Sequence, residues 1–512
     1  MNGAESIIQA ARSCGIDVCF ANPGTTEIPL VAALDSIGGI RPVLCLFEGV
    51  CTGAADGYAR MQDKPAMVLL HLGVGLANGT SNLHNARRAH TPLVVVVGEH
   101  ATWHRPLDPP LAMNIESIAS STSGWLRTCR ADSLLGRDMA DAVSAAREGQ
   151  VAILIVPYDL QMKRCEEKMI TLTPPDRKEV DHVRIEEALG ILNAGTKTAL
   201  VLGGKALRKD GLMAAARIRS ACGCDLLSEG FPARMERGAG LPDVTRIPYL
   251  PEPALELLKH YDALVFAGAG EPVSFFGYSG VPGRLVYDRQ KIVHLSKPGH
   301  DATEGLTSLA RSLGAPESPS HDVLEPRSKP ALPIGPLSGE KACAMIAALQ
   351  PEGTIVVDES ITNSISYYPA TKGARPFTLL TLTGGSLGLG PACAVGAAIA
   401  CPERPVINIQ ADGAAMYTMQ ALWTQSQEGL NVTTLIFSNR SYDILKYELA
   451  RYGVDKPGPH ASRLTDLTGI DWVCLGKGMG VASIAVNTAS ELEAEFSKAL
   501  EEQGPHLIQM NL

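Results

Sequence analysis

Short apolar runs alternate with longer stretches whose apolar residues recur at helical spacing. The stretch 5–13 has the helical pattern. The runs 17–21, 43–47, 66–71, 93–98 and 151–156 read as strands. Strands separated by helix-length segments imply a parallel sheet covered by helices. The alternation returns at 198–203, 225–227, 263–267 and 291–295. It returns again at 353–357, 404–409 and 432–437, with a helical stretch at 417–429 between the last two. Polar, Pro-containing segments at 166–181 and 315–336 separate the blocks and read as linkers. The fold class expected is α/β, with three domains at 1–165, 182–315 and 338–512. Each would be a mostly parallel sheet flanked by helices, and 512 residues suit about three domains of ordinary size.

Composition narrows the class. Apolar residues make up 45% and charged residues 19%, enough for a large core in a globular protein. No run of eighteen apolar residues exists, so no membrane partner is expected. A formal net charge of −9 argues against a nucleic-acid surface. The start, Met1-Asn2-Gly3-Ala4-Glu5-Ser6, lacks the basic and apolar regions of a secretion signal. The 12 cysteines are scattered, and Cys19, Cys45, Cys393 and Cys474 sit in apolar runs. They read as reduced core thiols of a cytoplasmic protein. Cys222-Gly223-Cys224 is the one close pair, and with no second pair it reads as neither a metal nor a redox site.

The densest chemistry lies between Gln410 and Ser441. One apolar run delivers Asp412 to a strand end, and the next delivers Asn439 to the same sheet edge. Ligands of α/β sheets bind at that edge. A carboxylate, an amide oxygen and a backbone carbonyl are hard ligands suited to Mg²⁺, which commonly shares its shell with phosphate. Read alone, the segment also fits an ordinary β-α-β unit with a strand-end Asp and a polar loop.

Four other segments change that reading. They are Asn22-Pro23-Gly24-Thr25-Thr26-Glu27; Glu48 followed by Ala54-Ala55-Asp56-Gly57-Tyr58-Ala59-Arg60; His71 before Gly73-Val74-Gly75; and Leu382-Thr383-Gly384-Gly385-Ser386-Leu387-Gly388. In order and spacing, over nearly the whole chain, the set resembles the thiamine diphosphate-dependent enzymes. The closest resemblance is to the acetolactate synthase-like and benzoylformate decarboxylase-like branch. The family motif begins Gly-Asp-Gly, whereas this chain has Ala411 before Asp412.

The resemblance implies a pyrimidine-binding domain, a middle domain and a diphosphate-binding domain, in that order. It implies Mg²⁺ held by Asp412, Asn439 and the Ser441 carbonyl. Gly413, Ala414, Thr362 and Asn363 would contact the cofactor, Leu387 would wedge it into a bent shape, and the Gly385 carbonyl would accept from its amino group. Glu48 would bind N1′ of the aminopyrimidine. Pro23, Gly24 and Thr25 would line the pocket, and His71 would meet the substrate carboxylate and donate a proton. The implied reaction is decarboxylation of a 2-oxo acid, followed by aldehyde release or by ligation to an aldehyde or second 2-oxo acid. A CoA-thioester lyase is the alternative within the family. The implied assembly is a homodimer or homotetramer with the cofactor between subunits.

Two features fit neither specialist of the branch. Gly277 stands where benzoylformate decarboxylases carry a second His, and the stretch 441–447 lacks a tryptophan typical of acetolactate synthases. In the middle block, Gly203-Gly204 and Gly268-Ala269-Gly270 follow strands. Some relatives bind FAD, ADP or CoA there, which makes a flavin or nicotinamide oxidoreductase the alternative from another class. The third glycine of a dinucleotide fingerprint is missing, so FAD is not expected.

Overall fold

Three sheets carry the apolar runs in the computed structural model, which describes residues 1–130, 134–165, 181–298 and 300–512. Most of the first expected linker, 166–180, lies outside the described residues.

The first sheet contains β1 (Val18–Asn22), β2 (Arg41–Leu44), β3 (Ala66–Leu70), β4 (Leu93–Glu99), β5 (Trp125–Thr128) and β6 (Val151–Pro157). Its order is β2-β1-β3-β4-β6-β5, and every pair is parallel. Every residue of β3, β4 and β6 is buried, the sign of a parallel sheet covered on both faces. The second sheet contains β7 (Thr198–Leu202), β8 (Asp225–Ser228), β10 (Thr245–Arg246), β11 (Ala263–Ala267) and β12 (Lys291–Ser296), in the order β10-β8-β7-β11-β12. The intervening β9 (Arg234–Arg237) leaves that sheet and pairs antiparallel with the strand Phe377–Thr381 of the third. The third sheet adds β13 (Ile355–Glu359), β14 (Phe377–Thr381), β15 (Val406–Ala411), β16 (Val432–Ser438), β17 (Ala482–Val486) and β18 (His506–Asn511). Its order is β17-β18-β16-β15-β13-β14-β9.

Several boundaries differ from the sequence reading. The run 43–47 is a strand only to Leu44, because β2 is the edge strand and Phe47 already caps the helix Glu48–Gln62 in an extended conformation. Glu48 therefore opens a helix instead of closing a strand. The run 353–357 becomes Ile355–Glu359, since Gly353 is in a left-handed turn at φ 76°. The helical stretch shrinks to Ala421–Gln427. Cys474, read as a core thiol, is exposed.

Helix Glu48–Gln62 joins the first sheet to the third by packing on helix Gly390–Ala400. A Cβ at Gly396 would lie 1.8 Å from the Ala54 carbonyl oxygen, so only glycine permits this approach. A buried Asp56–Arg60 pair sits on the same helix, and Arg60 donates to the Thr381 carbonyl at 2.8 Å. Breaking that pair would leave a buried charge unpaired, at a cost of roughly 3–5 kcal/mol. Among the described residues no helix is long and apolar enough to cross a membrane.

Candidate active site

Two clusters of the sequence-marked residues form at strand ends, one on the first sheet and one on the third. The first begins after β1, where Pro23 and Gly24 are half-buried and Thr25 is exposed. The next two residues turn inward. Glu27 is fully buried and its carboxylate accepts from the Gly24 N–H (2.8 Å), the Thr26 hydroxyl (2.6 Å) and His71 Nδ1 (2.8 Å). An ionised carboxylate only accepts, so the ring proton sits on Nδ1 and leaves Nε2 of the neutral ring as an acceptor. His71 packs flat on Gly24, where a Cβ would fall 2.4 Å from the ring. Glu27 and Thr26 had no signal in the sequence beyond membership of the Asn22–Glu27 segment. Thr26, not Thr25, reaches the imidazole, at 3.3 Å.

Glu48 belongs to the same cluster. Its Oε2 accepts from Asn78 Nδ2 at 3.0 Å, and Gly75 fits between Glu48 Oε1 and the His71 Cβ. The helix Leu72–Arg88 supplies both Gly75 and Asn78 and starts directly after His71. Further along, the same helix grips the loop that carries Gly385 and Leu387. Asn85 exchanges hydrogen bonds with the Ser386 backbone in both directions (2.8 and 3.2 Å), Asn82 donates to the Gly388 carbonyl (3.2 Å), and His84 Nε2 donates to the Gly384 carbonyl at the same distance. Leu387 packs, partly buried, against the core shared by the first and third sheets.

The second cluster lies at the ends of β15 and β16. Asp412 is buried, and its two oxygens accept from the N–H groups of Gly413 (2.8 Å) and Arg440 (2.7 Å). The carboxylate thus bridges the two strand ends and stands beside Asn439, the residue before Arg440. Ser441 N–H donates to Asn439 Oδ1 (3.2 Å), and Asn439 Nδ2 donates to Asp443 (2.7 Å). Gly413 and Ala414 form the start of a short helix, Asp412–Ala415. Burial pushes the Asp412 carboxyl above its usual range and the Asp443 charge adds to this, against the pull of the two N–H groups. Asp443 was not marked in the sequence. A cation beside these carboxylates would relieve their repulsion, and two carboxylates, an amide oxygen and a carbonyl are the hard donors Mg²⁺ takes. Among the described residues no group of three or more His, Cys, Asp or Glu side chains is arranged to hold a metal ion. Ala411, the departure from the family motif, has φ −76° and ψ 144°, a conformation any residue adopts.

Thr362 and Asn363 follow β13 in a half-buried turn, where Asp358 accepts from the Ser360 and Ser364 hydroxyls. Three residues with left-handed backbone flank marked positions: Leu72 after His71, Ile361 before Thr362 and Arg440 after Asn439. For a β-branched residue such as Ile361 this is a strained state, of the kind that concentrates at functional sites.

The middle block meets the site through one loop. Phe275, not Gly277, reaches Gly385: its ring atom Cζ lies 2.2 Å from where a Cβ would stand. Phe275 packs edge-on or tilted against Phe231, Tyr249 and Phe276, making an aromatic wall. The Gly203 and Gly268 turns pack on each other, a Cβ on Gly203 falling 2.8 Å from the Gly268 carbonyl. Among the described residues no hydrogen bond joins the Glu27–Glu48–His71 cluster to the Asp412–Asn439 cluster within this one chain.

Comparison with known proteins agrees with this geometry. Residues 1–118 match the description "Thiamine pyrophosphate enzyme, N-terminal TPP binding domain", and residues 362–510 match "Thiamine pyrophosphate enzyme, C-terminal TPP binding domain". The chain is 46% identical to a Mycobacterium tuberculosis protein named "Putative acetolactate synthase large subunit IlvX", over 99% of this chain and 98% of that one. It is 26% identical to a benzoylformate decarboxylase of Pseudomonas aeruginosa, over 98% of this chain and 96% of that protein. The solved 4-hydroxybenzoylformate decarboxylase of Rhodococcus jostii RHA1 superposes with a TM-score of 0.86 at 23% identity, covering 100% of this chain and 99% of that one.

Proposed function

The chain belongs to the thiamine pyrophosphate enzyme family, and from that premise we propose a thiamine diphosphate- and Mg²⁺-dependent 2-oxo acid decarboxylase and carboligase of acetolactate synthase-like type. The observation that carries the reading is Asp412 bridging the ends of β15 and β16 beside Asn439, with hard oxygen donors and backbone N–H groups at one sheet edge.

In this reading Asp412, Asn439 and the Ser441 carbonyl hold Mg²⁺. Thr362, Asn363, Gly413 and Ala414 hold the diphosphate. Leu387 would pack against the bound cofactor and the Gly385 carbonyl would accept from its amino group. When bound, thiamine diphosphate supplies an electron sink that takes the pair released as CO₂ leaves. Glu48 holds a proton at N1′, with Asn78 fixing its other oxygen. His71, oriented by Glu27, presents Nε2 to the substrate and moves the proton that decides between aldehyde release and ligation. Pro23, Gly24 and Thr25 line that side of the pocket. The aromatic wall at Phe275 borders the other side.

The two clusters complete each other in a homodimer or homotetramer, the first domain of one subunit facing the third domain of another. The chain is read as three domains, 1–165, 182–315 and 338–512, working in the cytoplasm.

The test is to incubate the protein with Mg²⁺, thiamine diphosphate and pyruvate, benzoylformate or branched 2-oxo acids, following CO₂ and 2-hydroxy ketone. Release of CO₂ from at least one acid, dependent on both additions, is expected. No turnover of any 2-oxo acid by protein that binds the cofactor would sink the reading.

A further inference from the structure

Glu359 has no part in the reaction drawn above, yet it is the most fully engaged carboxyl near the site. It closes β13, is 2% exposed, and lies opposite Gln410 in the parallel pairing with β15. Its Oε1 accepts from the N–H groups of Gly388 (2.7 Å) and Leu389 (3.2 Å). Its Oε2 accepts from the Gly390 N–H (2.6 Å) and from Gln410 Nε2 (2.7 Å). All four acceptor positions of the carboxylate are thus filled. The three N–H groups open the helix Gly390–Ala400 and directly follow Leu387. Gln410 lies on β15, two residues before Asp412, which follows the strand's end.

We propose that Glu359 is a positioning residue for the cofactor, its one carboxylate fixing the Leu387 loop against the strand that delivers Asp412. The proposal rests on the cofactor reading above. The loop is held from both sides. Asn82 and Asn85 of the Leu72–Arg88 helix set its outer edge, and Glu359 sets its inner edge. Inner and outer restraints differ in what they reference. The helix relates the loop to Glu48 and His71, whereas Glu359 relates it to Asp412. A wedge and a metal carboxylate tied to one anchor stand in register before the cofactor enters, so binding has less order to impose.

The surroundings leave no slack for a substitute. Gln410 Oε1 and Asn408 Oδ1 are buried without protein partners, and with Glu359 Oε2 they converge on Gly390 within 2.7–3.0 Å of where its Cβ would stand. In Glu359→Gln the new amide group must face an N–H donor or the Gln410 amide, so at least one buried donor goes unpaired. In Gln410→Met the loop keeps all three of its bonds to Glu359 and only the tie to the Asp412 strand is cut.

The experiment measures the Kd for thiamine diphosphate with Mg²⁺ by calorimetry on the purified, cofactor-stripped full chain. It is run on the wild type, Glu359→Gln, Gln410→Met and Asp412→Ala, with the Tm of each cofactor-free protein measured beside it. A residue that only stabilises the fold would lower Tm and leave Kd alone. The expected result is a Kd raised by about 10–100-fold in Glu359→Gln, the usual effect of removing a partner that orients a binding residue. Gln410→Met should move Kd in the same direction. A wild-type Kd in both folded variants overturns the proposal, whatever their Tm. If Glu359→Gln does not fold, Gln410→Met decides alone. Wild-type protein that binds no thiamine diphosphate overturns the cofactor reading itself, and is distinguished by the wild-type measurement.

Discussion

Glu27 Oε2 accepts from His71 Nδ1 at 2.8 Å, and the Glu27 side chain has no exposure to solvent while His71 keeps 22%. A buried carboxylate behind a largely buried imidazole fixes which ring nitrogen it holds and which faces the pocket. The arrangement predicts two separable losses. His71→Ala should lower turnover by roughly 10²–10⁴-fold, the worth of a positioned acid–base group. Glu27→Gln keeps the hydrogen bond but not the charge, and should cost less while shifting the ratio of aldehyde to 2-hydroxy ketone. Normal turnover with unchanged products in His71→Ala would make His71 a packing residue.

Glu48 is predicted to act on the cofactor and not on the substrate. Glu48→Gln can still hydrogen-bond an acceptor through its amide and keep the Asn78 contact, so cofactor binding should survive. Exchange of the C2 proton of the bound cofactor, followed by NMR in D₂O, should slow together with every reaction. His71→Ala should leave that exchange intact. Equal exchange in wild type and Glu48→Gln would remove Glu48 from the activation step.

Much of this was legible in the sequence, and the reasons can be given residue by residue. Asp412 and Asn439 were readable because a strand end is marked by where an apolar run stops, and both follow runs buried on both faces. Edge and late strands were not. β9 has four residues of which two are arginines, and it joins a sheet belonging to a later part of the chain. Glu27 was invisible as a partner of His71 because the two are 44 residues apart and meet only when β1 and β3 pair. Phe275 and Glu359 lacked a signal for the same reason: each acts through a contact made in space. Ile361 and Arg440, with left-handed backbone, are not glycines, so nothing in their identity announced the turns they make.

Metal removal gives a third prediction. Dialysis against a chelator at mildly alkaline pH should abolish activity, and Mg²⁺ with thiamine diphosphate should restore it only when added together. Asp412→Ala removes the charged donor that bridges both strand ends and should bind neither. Cofactor binding by Asp412→Ala at the wild-type Kd would contradict the metal assignment.

Stability should carry a trace of Glu359. Burial pushes its carboxyl up to about 7 from its ordinary 4.5, against the pull of Gln410 and the three N–H groups. The folded protein therefore holds this proton more tightly than the unfolded chain. The resulting stability is full below about pH 4.5 and is lost as pH rises toward about 7. Glu229, also pushed to about 7 by burial, has the same sign, so wild type alone cannot separate the two. The comparison of wild type with Glu359→Gln does, because Glu229 cancels. The Tm advantage of wild type over Glu359→Gln should shrink between pH 5 and pH 8; an advantage that grows with pH would have the wrong sign.

The last prediction concerns where the site is assembled. The Glu27–Glu48–His71 cluster and the Asp412–Asn439 cluster share no hydrogen bond among the described residues of one chain. If each site takes its first cluster from one subunit and its second from the partner, two dead variants can make a live hybrid. Glu48→Gln and Asp412→Ala are each expected to be nearly inactive alone. In a hybrid dimer one site carries both defects and the other carries neither. With random pairing half the dimers are hybrids, each with one sound site, so the co-expressed mixture should recover about one quarter of wild-type activity. Tagging the two variants differently and purifying through both tags isolates the hybrid, which should reach about one half. A site built within a single chain gives a different result, because every site in every dimer then carries one defect and mixing restores nothing. A hydrodynamic mass of one 54.2 kDa chain in a fully active sample would exclude the shared site by itself. The complementation result is the stronger test, since it reads the assembly through the chemistry and not through size alone.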